Sequence, residues 1–175
     1  MQVILAKTAG FCYGVARAVK IARQTAEQGG GAMLGSIVHN ANVVSELEHA
    51  GMRQIASVEE AKTGESVLIR AHGERKEVFD TLRARGTNIV SATCPNVQHI
   101  QKLVTQAEQE GRKVVIIGEA EHPEVQGIAS WCTTPLIFGS VNELSEYAET
   151  HRNLADLPIT LVAQTTCIRA VWESC

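Results

Sequence analysis

The 175-residue chain has no run of 18 consecutive apolar residues, so no stretch of it reads as a membrane-spanning helix. Its 16 Lys and Arg are outnumbered by 19 Asp and Glu, and a net charge of −3 leaves no basic footprint for nucleic acid. The short C-x₂-C and H-x₃-H pairs of compact zinc sites are absent. MQVILA enters a strand pattern without a basic leader or a cleavage site, which sets the expectation of a soluble, cytoplasmic protein. In that compartment the five cysteines are expected to be reduced, metal-bound or buried rather than paired. No low-complexity linker divides the chain, and 45% apolar residues supply a folded core.

What the chain does contain is an internal repeat. His39 follows Cys12 by 27 positions and His122 follows Cys94 by 28; Ser57 and Ser140 each lie 18 positions further on. Between the anchors each copy reads as helix then strand: AVKIARQTAEQGG then AMLGSIV, and VQHIQKLVTQAEQEG then KVVIIGEA. The period of 83 is that of a small domain, well above the 20–50 residues of a solenoid. His72 precedes Cys94 by 22 positions, and its counterpart in the second copy is the QTT at Gln164 to Thr166. The same count places a third cysteine about twelve positions beyond Cys175, so the arithmetic leaves either a two-copy architecture or part of a longer protein.

Apolar runs QVILA, AMLGSIV, SVLIRA, NIVSA, KVVIIG, PLIF and ITLVA alternate with amphipathic helical stretches. Apolar strands without period-two alternation are those of a parallel sheet covered on both faces. The expected fold is therefore α/β, built from repeated small parallel-sheet domains that pack directly on one another. Residues 1–13 form an N-terminal strand and cysteine loop, 14–94 a first domain and 95–175 a second.

Cys12, His39, His72, Cys94, His122 and Thr165 all fall just after a predicted strand and near a helix start. Ligands of open α/β sheets bind at that edge, where helix N-termini present unpaired N–H groups. A helix N-terminus also favours a thiolate at Cys12 and Cys94. The histidines in VHN, AHG and EHPE suit either a metal or a phosphate. Glu124, two residues after His122, is either a first-turn helix carboxylate or, beside an anionic ligand, a protonated acid. Cys132 reads as core on an apolar helix, Cys167 and Cys175 as structural or free thiols, His49 and His151 as solvated surface, and His99 as undecided.

GFCYGV, VHN, AHG, ATCP, HPEVQG and AQTT, in this order and spacing, resemble the 4-hydroxy-3-methylbut-2-enyl diphosphate reductase family, also called IspH or LytB. The resemblance runs from Met1 to about Thr166. It implies three similar α/β domains in a pseudo-threefold trefoil, of which this chain holds two, around a [4Fe–4S] cluster in a cytoplasmic oxidoreductase of isoprenoid biosynthesis by the methylerythritol phosphate route. By the same resemblance Cys12 and Cys94 are cluster ligands, and His39, His72 and His122 surround the substrate diphosphate. Glu124 is the proton donor and Thr165 lies near the departing hydroxyl. The family's third cysteine, its Ser-x-Asn diphosphate contacts and a late serine have no counterpart before Cys175, so the chain is expected to be an inactive fragment. The implied partners are an allylic diphosphate substrate and a ferredoxin- or flavodoxin-type electron donor, with neither nucleic acid nor membrane. Two other classes stay open on the residues themselves: a noncatalytic two-domain protein binding a phosphorylated metabolite, and a zinc or mononuclear-iron enzyme.

Overall fold

The computed structural model describes every residue except Met1, Leu5 and Thr8, and only the backbone of Asn153 and Ala155. Its first half runs α1 (Tyr13–Glu27), β1 (Gly31–Leu34), α2 (Ala41–His49), β2 (Met52–Ile55), a 3₁₀ turn (Val58–Glu60), β3 (Ser66–Ile69), α3 (Lys76–Ala84) and β4 (Asn88–Ser91). The second runs α4 (Pro95–Gln109), β5 (Lys113–Ile117), α5 (Pro123–Ala129), β6 (Leu136–Phe138), α6 (Val141–Thr150), a 3₁₀ turn (Arg152–Asp156), β7 (Ile159–Ala163) and α7 (Arg169–Glu173).

These elements build two sheets, ordered β2-β1-β3-β4 and β6-β5-β7, and every strand pair is parallel. The continuous apolar runs are explained by burial of both faces. Met33 and Leu68 join Ala18, Val19 and Ala22 of α1 and Leu47 of α2 on one side of the first sheet. Ala32, Leu34, Val67 and Ile69 point the other way, onto Leu82 and Phe79 of α3. The second sheet divides likewise, with Val114, Ile116 and Val162 against α4 and α5, and Val115, Ile117 and Leu161 against Leu144 and Tyr147 of α6.

The repeat appears in the topology. Cys12 and Cys94 are the N-cap residues of α1 and α4, each 15 residues long. The central strands β1 and β5 follow these helices, and β2 and β6 flank them at equivalent edges. Ser57 and Ser140 then end β2 and β6 in the same way. Glu60 accepts the Ala56 N–H at 2.9 Å, and Glu143 accepts the Gly139 N–H at 2.9 Å. The first sheet has an extra edge strand, β4, delivered by α3. The halves pack directly on each other: the Lys76 N–H donates to Ser130 Oγ at 2.9 Å, and the Phe79 and Trp131 rings lie 6.0 Å apart.

Two sequence expectations fail. QVILA is not a strand: Gln2, Val3, Ile4 and Ala6 are irregular and exposed, and Leu5 lies outside the described residues. No described strand lies beside this segment to accept its backbone hydrogen bonds, and without a partner an apolar run does not hold an extended conformation. The seventh strand is instead β2, whose sequence MRQI buries only Met52 and Ile55 because it is an edge. Cys132 is not helical: α5 stops at Ala129, and the half-buried thiol packs on the core just beyond. Burial pushes that thiol up to about 11.

Ile116 is fully buried in the central strand of the second sheet. Ile116→Ala is expected to cost about 2–5 kcal/mol, read as a lower urea midpoint with an unchanged m-value.

Candidate active site at the strand exits

A parallel strand must return through a crossover, so all strands of one sheet discharge their chains at the same edge. His39 follows β1 by way of Gly35 to Val38, His72 follows β3, Cys94 follows β4, His122 follows β5 and Thr165 follows β7. The structure brings the three histidines together. The His39 and His72 rings are 5.7 Å apart by their centroids, and those of His72 and His122 are 5.6 Å apart and edge to face. The triplet therefore spans both sheets.

Glu124 and Thr165 form a second pair at this edge. The Glu124 carboxylate, 2% exposed, accepts the Thr165 N–H at 2.6 Å and the Thr165 hydroxyl at 2.8 Å. His122 caps α5 by accepting the Glu124 N–H on Nδ1 at 3.1 Å. With Nδ1 accepting, the neutral ring carries its proton on Nε2. Gln164, absent from the sequence expectations as a separate residue, holds this corner. It is 7% exposed, accepts the Glu119 N–H at 3.2 Å and donates to Thr166 Oγ1 at 2.9 Å.

Cys94 is tied to the histidine edge through its backbone, because its N–H donates to the carbonyl of Ala71, next to His72, at 2.8 Å. Its sulfur lies over the first turn of α1, where a side chain on the buried Gly14 would place Cβ 2.7 Å from Cys94 Sγ. Glycine is thus required there for close approach. Cys12 opens the same helix, and neither cysteine spends its side chain on a capping hydrogen bond. Both thiols are free, and Cys12 is exposed. Two thiols at helix N-termini, with a glycine cradle under one of them, suit soft metals and iron–sulfur groups in donor chemistry. Among the described residues no group of three or more His, Cys, Asp and Glu is disposed to hold a metal, so these two would need further ligation.

The remaining polar candidates stay apart from this edge. His49, His99 and His151 are exposed, and His151 stacks on Tyr147 at 3.9 Å. Cys167 packs on the outer face of the second sheet. A cleft of about 490 Å³ between α3, α4 and Trp131 contains none of the clustered histidines or cysteines. The site is defined by converging side chains rather than by that cleft.

The LytB protein family model matches residues 3–175. The chain belongs to the LytB family. A 4-hydroxy-3-methylbut-2-enyl diphosphate reductase of Thermoanaerobacter sp. (strain X514) is 36% identical over 99% of this chain and 60% of its own length. The reductase of Citrifermentans bemidjiense is 41% identical over 95% of this chain and 57% of its own. A solved structure of (E)-4-hydroxy-3-methyl-but-2-enyl diphosphate reductase, the terminal enzyme of the non-mevalonate pathway, superposes with a TM-score of 0.81 at 34% identity, over 98% of this chain and 60% of that one. The Plasmodium falciparum reductase, at 24% identity and a TM-score of 0.80, shares the fold. The chain thus spans about 60% of the length of the curated LytB relatives it matches. Among the described residues no helix is long and apolar enough to cross a membrane.

In this LytB chain the electrostatics centre on His72. Burial pulls its pKa below the usual histidine range, the Glu124 carboxylate opposes that shift, and His122, His39 and Arg70 reinforce it. At a pH between the folded and unfolded values His72 is therefore neutral in the folded chain and protonated in the unfolded one. The stability this contributes is complete above the unfolded pKa of about 6.5 and is lost as pH falls through the lower folded value. His72→Asn is expected to flatten the loss of thermal stability below about pH 6.5 relative to the unaltered chain, measured by calorimetry across buffers of equal ionic strength.

Proposed function

We propose that the chain supplies two cluster thiolates, the proton donor and the histidine cluster for reductive removal of the hydroxyl of 4-hydroxy-3-methylbut-2-enyl diphosphate. The balanced reaction takes two electrons and two protons and gives isopentenyl or dimethylallyl diphosphate and water. The observation that carries this reading is the joining of His39, His72 and His122 into one cluster beside the Glu124–Thr165 pair, with contributions from both sheets.

Burial, with His122 and His39 beside it, holds His72 neutral, and the clustered rings would present N–H groups to an incoming anion. The diphosphate would be held by Nε2–H of His122 and by the rings of His72 and His39. Protonated on Oε2, Glu124 would donate to Thr165 Oγ1, which in turn donates to the substrate hydroxyl and delivers the proton as the C–O bond breaks. The fixed Thr165 N–H keeps Oε1 occupied, so the proton resides on the oxygen that faces the hydroxyl. Cys12 and Cys94, with a third thiolate, would hold a [4Fe–4S] cluster, which would supply the two electrons and Lewis acidity and would be recharged by a ferredoxin- or flavodoxin-type donor. As the functional unit we propose residues 14–94 and 95–175 as the two domains, meeting at the Cys94 turn.

Titration calorimetry with the allylic diphosphate tests the assignment. His72→Ala is expected to bind on the order of tenfold to a hundredfold more weakly, the cost of one hydrogen bond to a charged group. Glu124→Gln keeps the acceptor and donor shape but not the proton, so it is expected to bind as the unaltered chain does. In a complete reductase its turnover falls by roughly a hundredfold or more. Equal affinity of the unaltered chain and His72→Ala would overturn the reading.

A further inference from the structure

We infer that Arg17 is a positioning residue that sets the separation of the Cys12 and Cys94 thiols, by clamping the Cys94 turn onto the helix that Cys12 opens. Arg17 Nη1 donates to the Thr93 carbonyl at 3.1 Å, across 76 positions of sequence. Gly14 and Arg17 are three residues apart on α1 and share a face. That face touches the Cys94 turn twice, at Gly14 under the sulfur and at Arg17 on the preceding peptide. Thr93 is 1% exposed and its hydroxyl accepts from Ser91 at 3.1 Å, so the peptide that Arg17 grips is itself held. On its other side the turn is bound to the exit of β3 by the Cys94 N–H.

The consequence is geometric. Cys12 is fixed relative to α1 because it is the N-cap, whereas Cys94 belongs to the N-cap of α4, a helix that packs on the other sheet. The Cys94 turn leaves the first sheet at β4, and Arg17 adds a direct side-chain tie from α1 to it. Among the described residues Arg17 makes the one side-chain hydrogen bond between α1 and the Cys94 turn. An arginine suits the task because its long fork reaches a carbonyl while its stem stays packed, and it keeps its charge at every working pH. Outer partners of this kind orient ligands without touching the metal.

The inference rests on the reading that Cys12 and Cys94 act as one soft-donor pair, and the test separates the two ideas. The reduced chain is titrated with Cd²⁺ under anaerobic conditions, and thiolate-to-metal charge-transfer absorption is followed. The part of the signal lost in both Cys12→Ser and Cys94→Ser reports the pair. Arg17→Gln is expected to weaken that part on the order of tenfold to a hundredfold. Arg17→Lys, a point donor with no fork, is expected to fall between Arg17→Gln and the unaltered chain. Arg23→Gln, which breaks only the exposed pair with Glu46 on the same helix, serves as the control and leaves Cd²⁺ affinity unchanged. If both serine variants lose the signal while Arg17→Gln binds as tightly as the unaltered chain, the role of Arg17 is overturned and the donor pair stands. If neither serine variant loses signal, the donor pair fails and the inference fails with it. Should Arg17→Gln not fold, Arg17→Lys decides, and an affinity equal to that of the unaltered chain overturns the inference.

Discussion

Parallel pairing is the constraint on which this molecule rests. Because β1, β2, β3 and β4 run one way, and β5, β6 and β7 do likewise, each helix must carry the chain back along a face of its sheet. Every strand exit then opens on one edge. That rule delivers His39, His72 and Cys94 from the first sheet and His122 and Thr165 from the second to edges that the packing of the halves brings together. It also demands strands buried on both faces, which Val67, Leu68 and Ile69 satisfy with no exposure at all.

The two copies are equivalent where the site needs them to be and differ where it does not. Helix, central strand, flanking strand and serine–glutamate stop recur in order. The divergence lies in the connection to β3 and β7, a three-residue 3₁₀ turn in one copy and the whole of α6 in the other, and in the added β4. That added strand matters because its exit is the Cys94 turn. The second copy's cysteine-bearing helix α4 is thus launched from the first copy's sheet.

Within the site, burial and charge act in opposite senses. Desolvation keeps His72 neutral while Glu124 pulls it toward protonation. Glu124 is itself buried, with both oxygens engaged by Thr165, and so bridges α5 to the exit of β7.

The sequence by itself determined the α/β class, the two matched copies, the placement of His39, His72, Cys94, His122 and Thr165 at strand exits, and that of Cys12 at a helix start. Those features are written in local periodicity and in spacing, which survive without knowledge of contacts. It misjudged QVILA and passed over MRQI, because pairing rather than apolarity decides whether an edge segment is a strand. It placed Cys132 on a helix, since where α5 stops depends on how Trp131 and Cys132 pack. Only the tertiary structure decided that three histidines from two copies touch, that Glu124 closes on Thr165, and that Gly14 and Arg17 meet the Cys94 turn. These contacts join residues that are 33 to 80 positions apart in the chain, and no local pattern encodes which loops a pair of packed sheets will bring face to face.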